Sequence, residues 1–213
     1  MTASRYKYPR TAHLPWSEGA SSDDIILDLA SCFEGKEVVV TEKMDGENTT
    51  MYTDYIHARS IDSKHHPSRN WVKQLHGRIG YNIPEGWRLC GENVYAQHSI
   101  EYDDLESYFY LFSVWNEDNV CLSWDETAEW AELLQIPVPT IMYRGPWDEK
   151  LISNLSYDPK TCEGYVVRTV EGFDYTNFQQ HLAKVVRANH VQTDEHWMHK
   201  AVIPNQLRDT VEA

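Results

Sequence analysis

A lysine that directly follows an apolar run is the residue of this 213-residue chain best suited to chemistry. Three valines, Val38 to Val40, precede Lys43, and Asp45 and Gly46 come immediately after it. The end of a strand presents an amine into a pocket, the glycine lets the backbone turn close to a ligand, and the acid helps to orient the site. This arrangement suits a covalent nucleophile for a nucleotide phosphate. Taken alone, the pattern also fits an acidic turn with a solvated lysine, so its meaning depends on the residues that follow.

Further charged and aromatic groups follow in order, most of them beside predicted strands. They are Arg59-Ser60, Gly91-Glu92, the aromatic run from Tyr108 to Trp115, Glu163 to Arg168, and Lys184 to Arg187. With Lys43 they resemble motifs I, Ia, III, IIIa, IV and V of the covalent nucleotidyltransferases, the superfamily of ATP-dependent ligases and mRNA capping enzymes. The resemblance covers about residues 37 to 190. It is closest to the RNA ligase 2-like branch, in which an asparagine follows the lysine motif as Asn48 does here.

The resemblance implies that Lys43 attacks the α-phosphate of ATP, expels pyrophosphate and forms lysyl-AMP. The adenylate then passes to a 5′-phosphate on RNA, which a 3′-hydroxyl seals. Free lysine is protonated near neutral pH, so nearby positive charge and a metal ion are expected to lower its pKa. By resemblance, Arg59 and Lys184 supply that charge. Glu163 holds Mg²⁺ or Mn²⁺, ions that prefer oxygen ligands.

Four other residues are expected to bind the nucleotide by the same resemblance. Glu92 accepts hydrogen bonds from the ribose, and Phe112 stacks on adenine. Glu42 contributes its backbone near the base, and Asn48 its side-chain amide near the phosphate. The alternatives are a core position for Phe112 and a glutamate–arginine pair at a strand end for Glu92 and for Glu163.

Strand alternation makes a further prediction about the aromatic run. It places Tyr110, Phe112 and Val114 on one face of the strand, and Leu111, Ser113 and Trp115 on the other.

The last motif departs from its relatives, many of which carry two lysines on one strand face. Here Lys184 stands alone, with Val186 two positions later. Arg187 comes three positions later and falls on the opposite face unless a bulge intervenes. Handling of the triphosphate is therefore expected to differ from that in RNA ligase 2.

The net charge of −14 is unusual for a protein that binds nucleic acid. Either the basic residues concentrate in one groove, or the substrate is not a polynucleotide. A predicted helix from Arg69 to about Ile79 carries Arg69, Lys73 and Arg78, with Lys64, His65 and His66 just before it. These residues form a candidate phosphate-binding patch, although a solvated helix face explains them equally well.

The order of elements predicts an α+β fold, with two mainly antiparallel sheets flanked by helices. By resemblance this is an ATP-grasp-like nucleotidyltransferase (adenylation) domain. The predicted strands are 38–43, 49–58, 88–94, 108–115, 120–123, 140–143, 163–170 and 179–187. The predicted helices are 21–35, 69–79, 125–135 and 147–155, and one further helix at 194–201. Residues 1–190 are expected to form the adenylation domain and residues 191–213 a short helical tail without a second domain.

Several classes of protein are disfavoured by the sequence. No run of eighteen apolar residues and no secretory signal is present, and the four scattered cysteines predict buried free thiols in a reducing, cytoplasmic compartment. Walker A, G-x-G-x-x-G and G-x-S-x-G motifs are missing. The histidines near the C-terminus have irregular spacing, which disfavours a zinc site.

The favoured hypothesis is an ATP-dependent RNA ligase that repairs broken RNA, with or without an accessory RNA-binding or end-healing protein. Sealing of DNA nicks, or adenylate transfer to another acceptor, remains open because of the acidic charge. A non-catalytic nucleotide-binding module is the alternative outside enzymology.

Overall fold

Two β-sheets form the frame of the protein, which we describe from a computed structural model over residues 4–28, 32–189 and 199–209. The strands are β1 Ala12–His13, β2 Glu37–Glu42, β3 Glu47–Met51, β4 Ile56–Ala58, β5 Arg88–Asn93, β6 Phe109–Trp115, β7 Val120–Cys121, β8 Ile141–Pro146, β9 Gly164–Thr169, β10 Phe173–Asp174 and β11 Leu182–Val186. The α-helices are α1 Asn70–Ile79, α2 Trp124–Leu134 and α3 Glu149–Ser153. The first sheet has the strand order β1-β11-β9-β2-β8, and the second β10-β7-β6-β5-β3-β4.

All pairings between these strands are antiparallel except that of β1 with β11. The expected α+β architecture with two mainly antiparallel sheets is confirmed. The chain leaves the first sheet at the end of β2 and enters the second at β3. Residues 43–46 therefore connect the two sheets.

The apolar run in β2 is continuous because both faces of the strand are covered. Val38 and Val40 pack in one core cluster with Phe33 and Tyr165, while Val39 packs in another with Trp124. A strand buried on both sides does not show the polar alternation of a half-exposed one. This burial fixes the strand end from which Lys43 extends.

Helices α1 and α2 cover the outer face of the second sheet. Their apolar residues meet those of β5 and β6 in a core that contains Val72, Leu75, Ile79, Ala131, Leu89, Phe109, Leu111 and Val114. A capping box between Ser123 and Glu126 starts α2, and Gln135 ends it in the left-handed conformation. Both helices agree with the prediction to within a residue or two.

Three predicted elements before the C-terminal tail differ in the structure. The predicted strand 179–187 begins only at Leu182, because Tyr175–Gln180 form a 3-10 helix. The predicted strand 49–58 is interrupted by a tight turn, in which the backbone N–H of Tyr52 donates to the carbonyl of Tyr55, so it becomes β3 and β4. The predicted helix 21–35 is wrong over its described residues, 21–28 and 32–35, which form turns and extended chain. There Ile26 bridges His13 in parallel, and His13 exchanges backbone hydrogen bonds with Ile25 and Leu27. Pairing with β1 thus overrides the local helical pattern.

The C-terminal segment 199–209 packs against the loop formed by residues 95–106. Bridges join Pro204 to Ala96 and Leu207 to Leu105. Most of the predicted helix 194–201 lies outside the described residues, and the described part of the tail is extended rather than helical. The division between residues 190 and 191 stays a prediction.

Within the described ranges, no helix is long and apolar enough to cross a membrane. All four cysteines are buried free thiols, as predicted.

Candidate active site

A cavity of about 580 Å³ opens between the two sheets. All eight residues predicted to act in catalysis or nucleotide binding line it: Glu42, Lys43, Asn48, Arg59, Glu92, Phe112, Glu163 and Lys184. They come from β2, β3, β5, β6 and β11 or from the connections beside β2, β4 and β9. Residues spread over more than 140 positions of sequence are therefore gathered around one space.

Lys43 and Glu163 form the centre of this site. The Nζ atom of Lys43 donates to Oε1 of Glu163 at 2.8 Å, and the backbone N–H of Lys43 donates to the carbonyl of Gly164 at 2.9 Å. The glutamate side chain is 3 % exposed and the lysine side chain 24 %. The ammonium is thus held in place while remaining accessible from the cavity.

Charge around Lys43 favours its protonated form. Burial alone would lower the pKa of this lysine, but the carboxylates of Glu163, Glu92 and Asp45 offset burial and raise the pKa above its ordinary value. The lowered pKa expected from the sequence depends on a bound metal ion as well as on nearby positive charge. In the protein without ligand, Lys43 is therefore a charged, inactive nucleophile.

Two glycines permit the close approach of strands beside these residues. A Cβ atom on Gly46 would overlap the carbonyl oxygen of Asn93. One on Gly164 would overlap the carbonyl oxygen of Val185, and Gly164 also has φ of +148°, which side chains rarely adopt. These steric requirements explain why a glycine lies three residues after Lys43 and directly after Glu163.

Asp45 supports the nucleophile indirectly. Its buried Oδ2 accepts hydrogen bonds from the backbone N–H of Ser99 and of Ile100, both at 2.8 Å, and from Oγ of Ser99 at 2.7 Å. Its own N–H donates to the hydroxyl of Tyr102 at 2.8 Å. The acid of the motif therefore anchors the 99–102 segment to the connection that carries Lys43.

Glu92 and Asn48 are cross-strand partners in β5 and β3 on the second sheet. Burial, assisted by Glu163 and Asp45 and opposed by Lys43, raises the pKa of Glu92 to about 8. The Oδ1 atom of Asn48 is buried and has no hydrogen-bond partner among the described residues. A buried acceptor without a partner is costly, so this atom fits a hydrogen-bond donor supplied by a ligand.

Two of the cationic groups that line the cavity are Lys184 from β11 and Arg59 from the loop after β4. Burial and the nearby charge of Lys43 lower the pKa of Lys184 to about 8, and Arg59 contributes to this shift. Arg59 itself is exposed. Val186 is buried, and Arg187 donates to the carbonyl of Pro159 and to Oγ of Ser99 without lining the cavity. Among the described residues of β11, Lys184 is thus the single lysine that faces the site.

The expected alternation along the aromatic strand is wrong, because β6 contains a bulge. Cys90 pairs with Ser113 and Gly91 with Leu111, so Phe112 is an extra residue opposite β5. Leu111 and Val114 consequently share the core face, while Phe112, Ser113 and Trp115 line the cavity. Phe112 is half-buried, which leaves part of its ring available for stacking.

Glu42 lines the cavity, but its backbone N–H is already bonded to the carbonyl of Thr140. Burial raises the pKa of its carboxyl group. The carbonyl oxygen is therefore the backbone group through which it would contact a base.

Sequence reasoning missed several residues of the cavity wall. Tyr8 reaches it from the N-terminal segment, with its ring centroid 5.4 Å from that of Phe112 and 5.3 Å from that of Phe178. Arg168 also lines it, but its guanidinium is bound to the carbonyls of Thr169 and Leu122. No local pattern marks Tyr8 as part of the site, because only the fold brings the two ends of the domain together.

A metal ion at this site would be held by only one or two protein side chains. Within the described ranges, no group of three or more His, Cys, Asp or Glu side chains is arranged to hold a metal. A hard cation such as Mg²⁺ is often held by one or two carboxylates together with phosphate oxygens and water. Glu163, buried at the centre of the cavity, has the oxygen chemistry for that role.

Comparison with known proteins gives a consistent result. The family model of the RNA ligases matches residues 36–186. An archaeal ATP-dependent RNA ligase structure is similar with a TM-score of 0.59 and 14% identity, over 84% of this chain and 48% of that one. A Naegleria gruberi RNA ligase with PPi has a TM-score of 0.52 and 20% identity, over 73% and 50% of the two chains. A point mutant of the same ligase with ATP and Mn has a TM-score of 0.51 and 18% identity, over 74% and 51%. The chain thus spans about half the length of these ligases, and no curated protein matched it.

Proposed function

This chain belongs to the RNA ligase family, and we propose that it is an ATP-dependent RNA ligase that forms lysyl-AMP at Lys43. The observation that carries the proposal is that eight residues from separate sequence motifs line one cavity, with Lys43 and Glu163 2.8 Å apart at its centre. The similar Naegleria gruberi structures contain ATP, Mn and PPi, which supports ATP and a divalent ion as the cofactors here.

In the first step, the neutral amine of Lys43 attacks the α-phosphorus of ATP. The new N–P bond forms as the bond to pyrophosphate breaks, and the amine proton is released. The raised pKa of Lys43 means that its pairing with Glu163 has to weaken before attack. Mg²⁺ or Mn²⁺ on Glu163 would supply positive charge that neutralises this carboxylate and the phosphates. Lys184 and Arg59 then contribute charge beside the departing pyrophosphate.

The remaining residues hold the nucleotide. Glu92, at the cavity wall, would bond the ribose hydroxyls, and Phe112 would stack on adenine with part of its ring. The side-chain amide of Asn48 would lie near the phosphate, and its Oδ1 atom would accept a hydrogen bond from a donor of the bound ligand. Glu42 would contribute its carbonyl to the base.

In the later steps, an oxygen of an RNA 5′-phosphate attacks the adenylate phosphorus, and the N–P bond to Lys43 breaks. The amine then takes up a proton, and Glu163 is placed to stabilise the resulting ammonium. Finally a 3′-hydroxyl attacks the activated 5′-phosphate and AMP leaves. We propose that these ends occur in broken or nicked RNA, with an accessory RNA-binding or end-healing protein as a further partner. The four buried free thiols fit action in a reducing, cytoplasmic compartment.

The test is incubation with ATP labelled at the α-phosphate and Mg²⁺ or Mn²⁺, followed by denaturing electrophoresis. We expect a labelled protein band that added pyrophosphate removes. Lys43→Ala should abolish it, whereas Lys160→Ala, at an exposed lysine away from the cavity, should keep it. A wild-type protein that binds ATP but never takes up label would instead indicate a non-catalytic nucleotide-binding module.

A second candidate is adenylate transfer to DNA or to an acceptor other than a polynucleotide. The net charge of −14 favours only the latter, because DNA is a polyanion like RNA. Nicked duplexes with either RNA or DNA on the 3′-hydroxyl side separate the first two cases. Labelled protein that discharges to neither duplex would favour a different acceptor.

A further inference from the structure

A second cavity, of about 310 Å³, lies beside the nucleotide cavity. The two share a wall formed by Ala58, Ser63, Lys64 and Arg69. Lys73 and His76 line the second cavity only, from α1. A polymer that leaves the nucleotide cavity over Lys64 therefore enters a groove that is lined by Lys73 and by one acid, the exposed Asp54.

This surface differs in charge from the rest of the protein. Residues 57–78 contain five Lys and Arg residues, four histidines and one acid, Asp62, in a chain with a net charge of −14. A polyanion is repelled by the protein as a whole and attracted locally, so it would be guided to this stretch. The sequence left open whether these cations form a groove or a solvated face. Their position beside the nucleotide cavity favours the groove.

Some of the basic residues in this stretch are bonded within the protein, whereas others are exposed and can bind a phosphate. Arg69 forms a bidentate pair with Glu47, at 2.7 and 2.6 Å, so its charge is neutralised. His76 is bonded through Nε2 to the carbonyl of Tyr52 at 2.6 Å. Lys64 and Lys73 are exposed, and Nζ of Lys73 lies 3.1 Å from Nδ1 of His65.

The fold also holds Lys73 outward. Val72, Leu75 and Ile79 bury the apolar face of α1 in the core, which leaves Lys73 on the opposite, solvent side. Arg78 is exposed on the same helix but lines neither cavity. It is therefore a natural internal control.

We propose that Lys64 and Lys73 bind successive phosphates of the RNA strand whose end is sealed at Lys43. The inference rests on the proposed function and assigns its polymer-binding surface to the loop after β4 and the exposed face of α1. It also explains how a strongly acidic protein binds a polyanion: binding depends on a few local cations rather than on the overall charge.

The experiment measures binding of a fluorescent nicked RNA duplex with a 5′-phosphate by anisotropy, over a range of salt concentrations. The plot of log K against log salt has a negative slope, and each lost phosphate contact makes that slope shallower by roughly 0.7 to 0.9. We expect the slope of the Lys64→Ala/Lys73→Ala double variant to be shallower than that of the wild type by about 1.4 to 1.8. The variant should also bind the RNA more weakly at low salt. Lys64→Arg/Lys73→Arg should restore both, and Arg78→Ala should leave both close to wild type.

The proposal is overturned if the double alanine variant keeps the wild-type slope, or if Arg78→Ala lowers the slope as much as Lys73→Ala does. A wild-type Tm of the double alanine variant excludes misfolding as the cause, and restored binding by the double arginine variant assigns the loss to charge. Lys73→Ala should also form lysyl-AMP at the wild-type rate, because Lys73 does not line the nucleotide cavity. Absence of lysyl-AMP in the wild type would contradict the proposed function. If the wild type forms lysyl-AMP but the double alanine variant binds RNA as tightly as the wild type, only the proposed RNA-binding surface is contradicted.

Discussion

Replacing Glu163 with glutamine tests the electrostatic description of the nucleophile most directly. At 2.8 Å, a unit charge pair interacts by about 6 kcal/mol at an effective dielectric constant of about 20. The lysine side chain is 24 % exposed, and Glu92 ionises more easily once Glu163 is neutral, so we take about one third of that energy. About 2 kcal/mol corresponds to a roughly thirtyfold increase in the fraction of neutral Lys43 at pH 8.

The assay is brief acetylation with limiting acetic anhydride at pH 8 and without ATP, read by mass spectrometry. The ratio of label on Lys43 to that on exposed Lys160 should rise roughly thirtyfold in Glu163→Gln and stay constant in Glu101→Gln, a change at an exposed acid away from the cavity. Formation of lysyl-AMP should fall nonetheless in Glu163→Gln, because the proposed metal ligand is lost. An unchanged or lower acetylation ratio would refute the idea that Glu163 holds Lys43 in its charged form.

Three further predictions follow from the charges and hydrogen bonds around the site. Because the pKa of Lys184 is lowered to about 8, this residue is charged below that pH and neutral above it. The affinity for ATP, measured by calorimetry, should therefore fall between pH 7 and 9. Lys184→Arg, which keeps the charge, should reduce the fall. The pKa of Glu92 is raised from 4.5 to about 8, so its contribution to stability is complete below 4.5 and is lost as the pH rises through 8; Glu92→Gln should raise Tm relative to wild type at pH 9 and leave it nearly unchanged at pH 4. Asn205 is buried, accepts from the N–H of Tyr102 at 2.8 Å and donates to the carbonyl of Val94 at 2.8 Å; Asn205→Ala should lower the free energy of unfolding by about 2 to 4 kcal/mol in urea titrations, whereas Gln206→Ala, at an exposed side chain, should change it little.

The sequence predicted most of the strands and the residues that line the cavity, because the apolar pattern of a strand and the polar residue at its end occur side by side in the sequence. The apolar run before Lys43 and the apolar run before Glu92 each specify a strand, and a functional side chain near the end of a strand has a fixed position once the sheet forms. The helix predicted at 21–35 failed for the opposite reason. Ile25 and Ile26 suit a helix face, but backbone pairing with His13 places them in extended chain, where both remain about half exposed. Such long-range pairing is not encoded in a local window.

The bulge at Phe112 shows what the spacing of residues does and does not determine. Regular alternation would have put Phe112 and Val114 on the same face, and only the pairing of Gly91 with Leu111 removes that constraint. Gly91 cannot carry a side chain, because a Cβ atom there would overlap the ring of Phe109 and the carbonyl of Tyr110. The glycine before Glu92 therefore permits the close pairing of β5 with β6. The bulge in this pairing turns Phe112 toward the cavity that Glu92 lines. The position of an aromatic ring about twenty residues after Gly91 thus depends on the pairing of β5 with β6, not on sequence proximity.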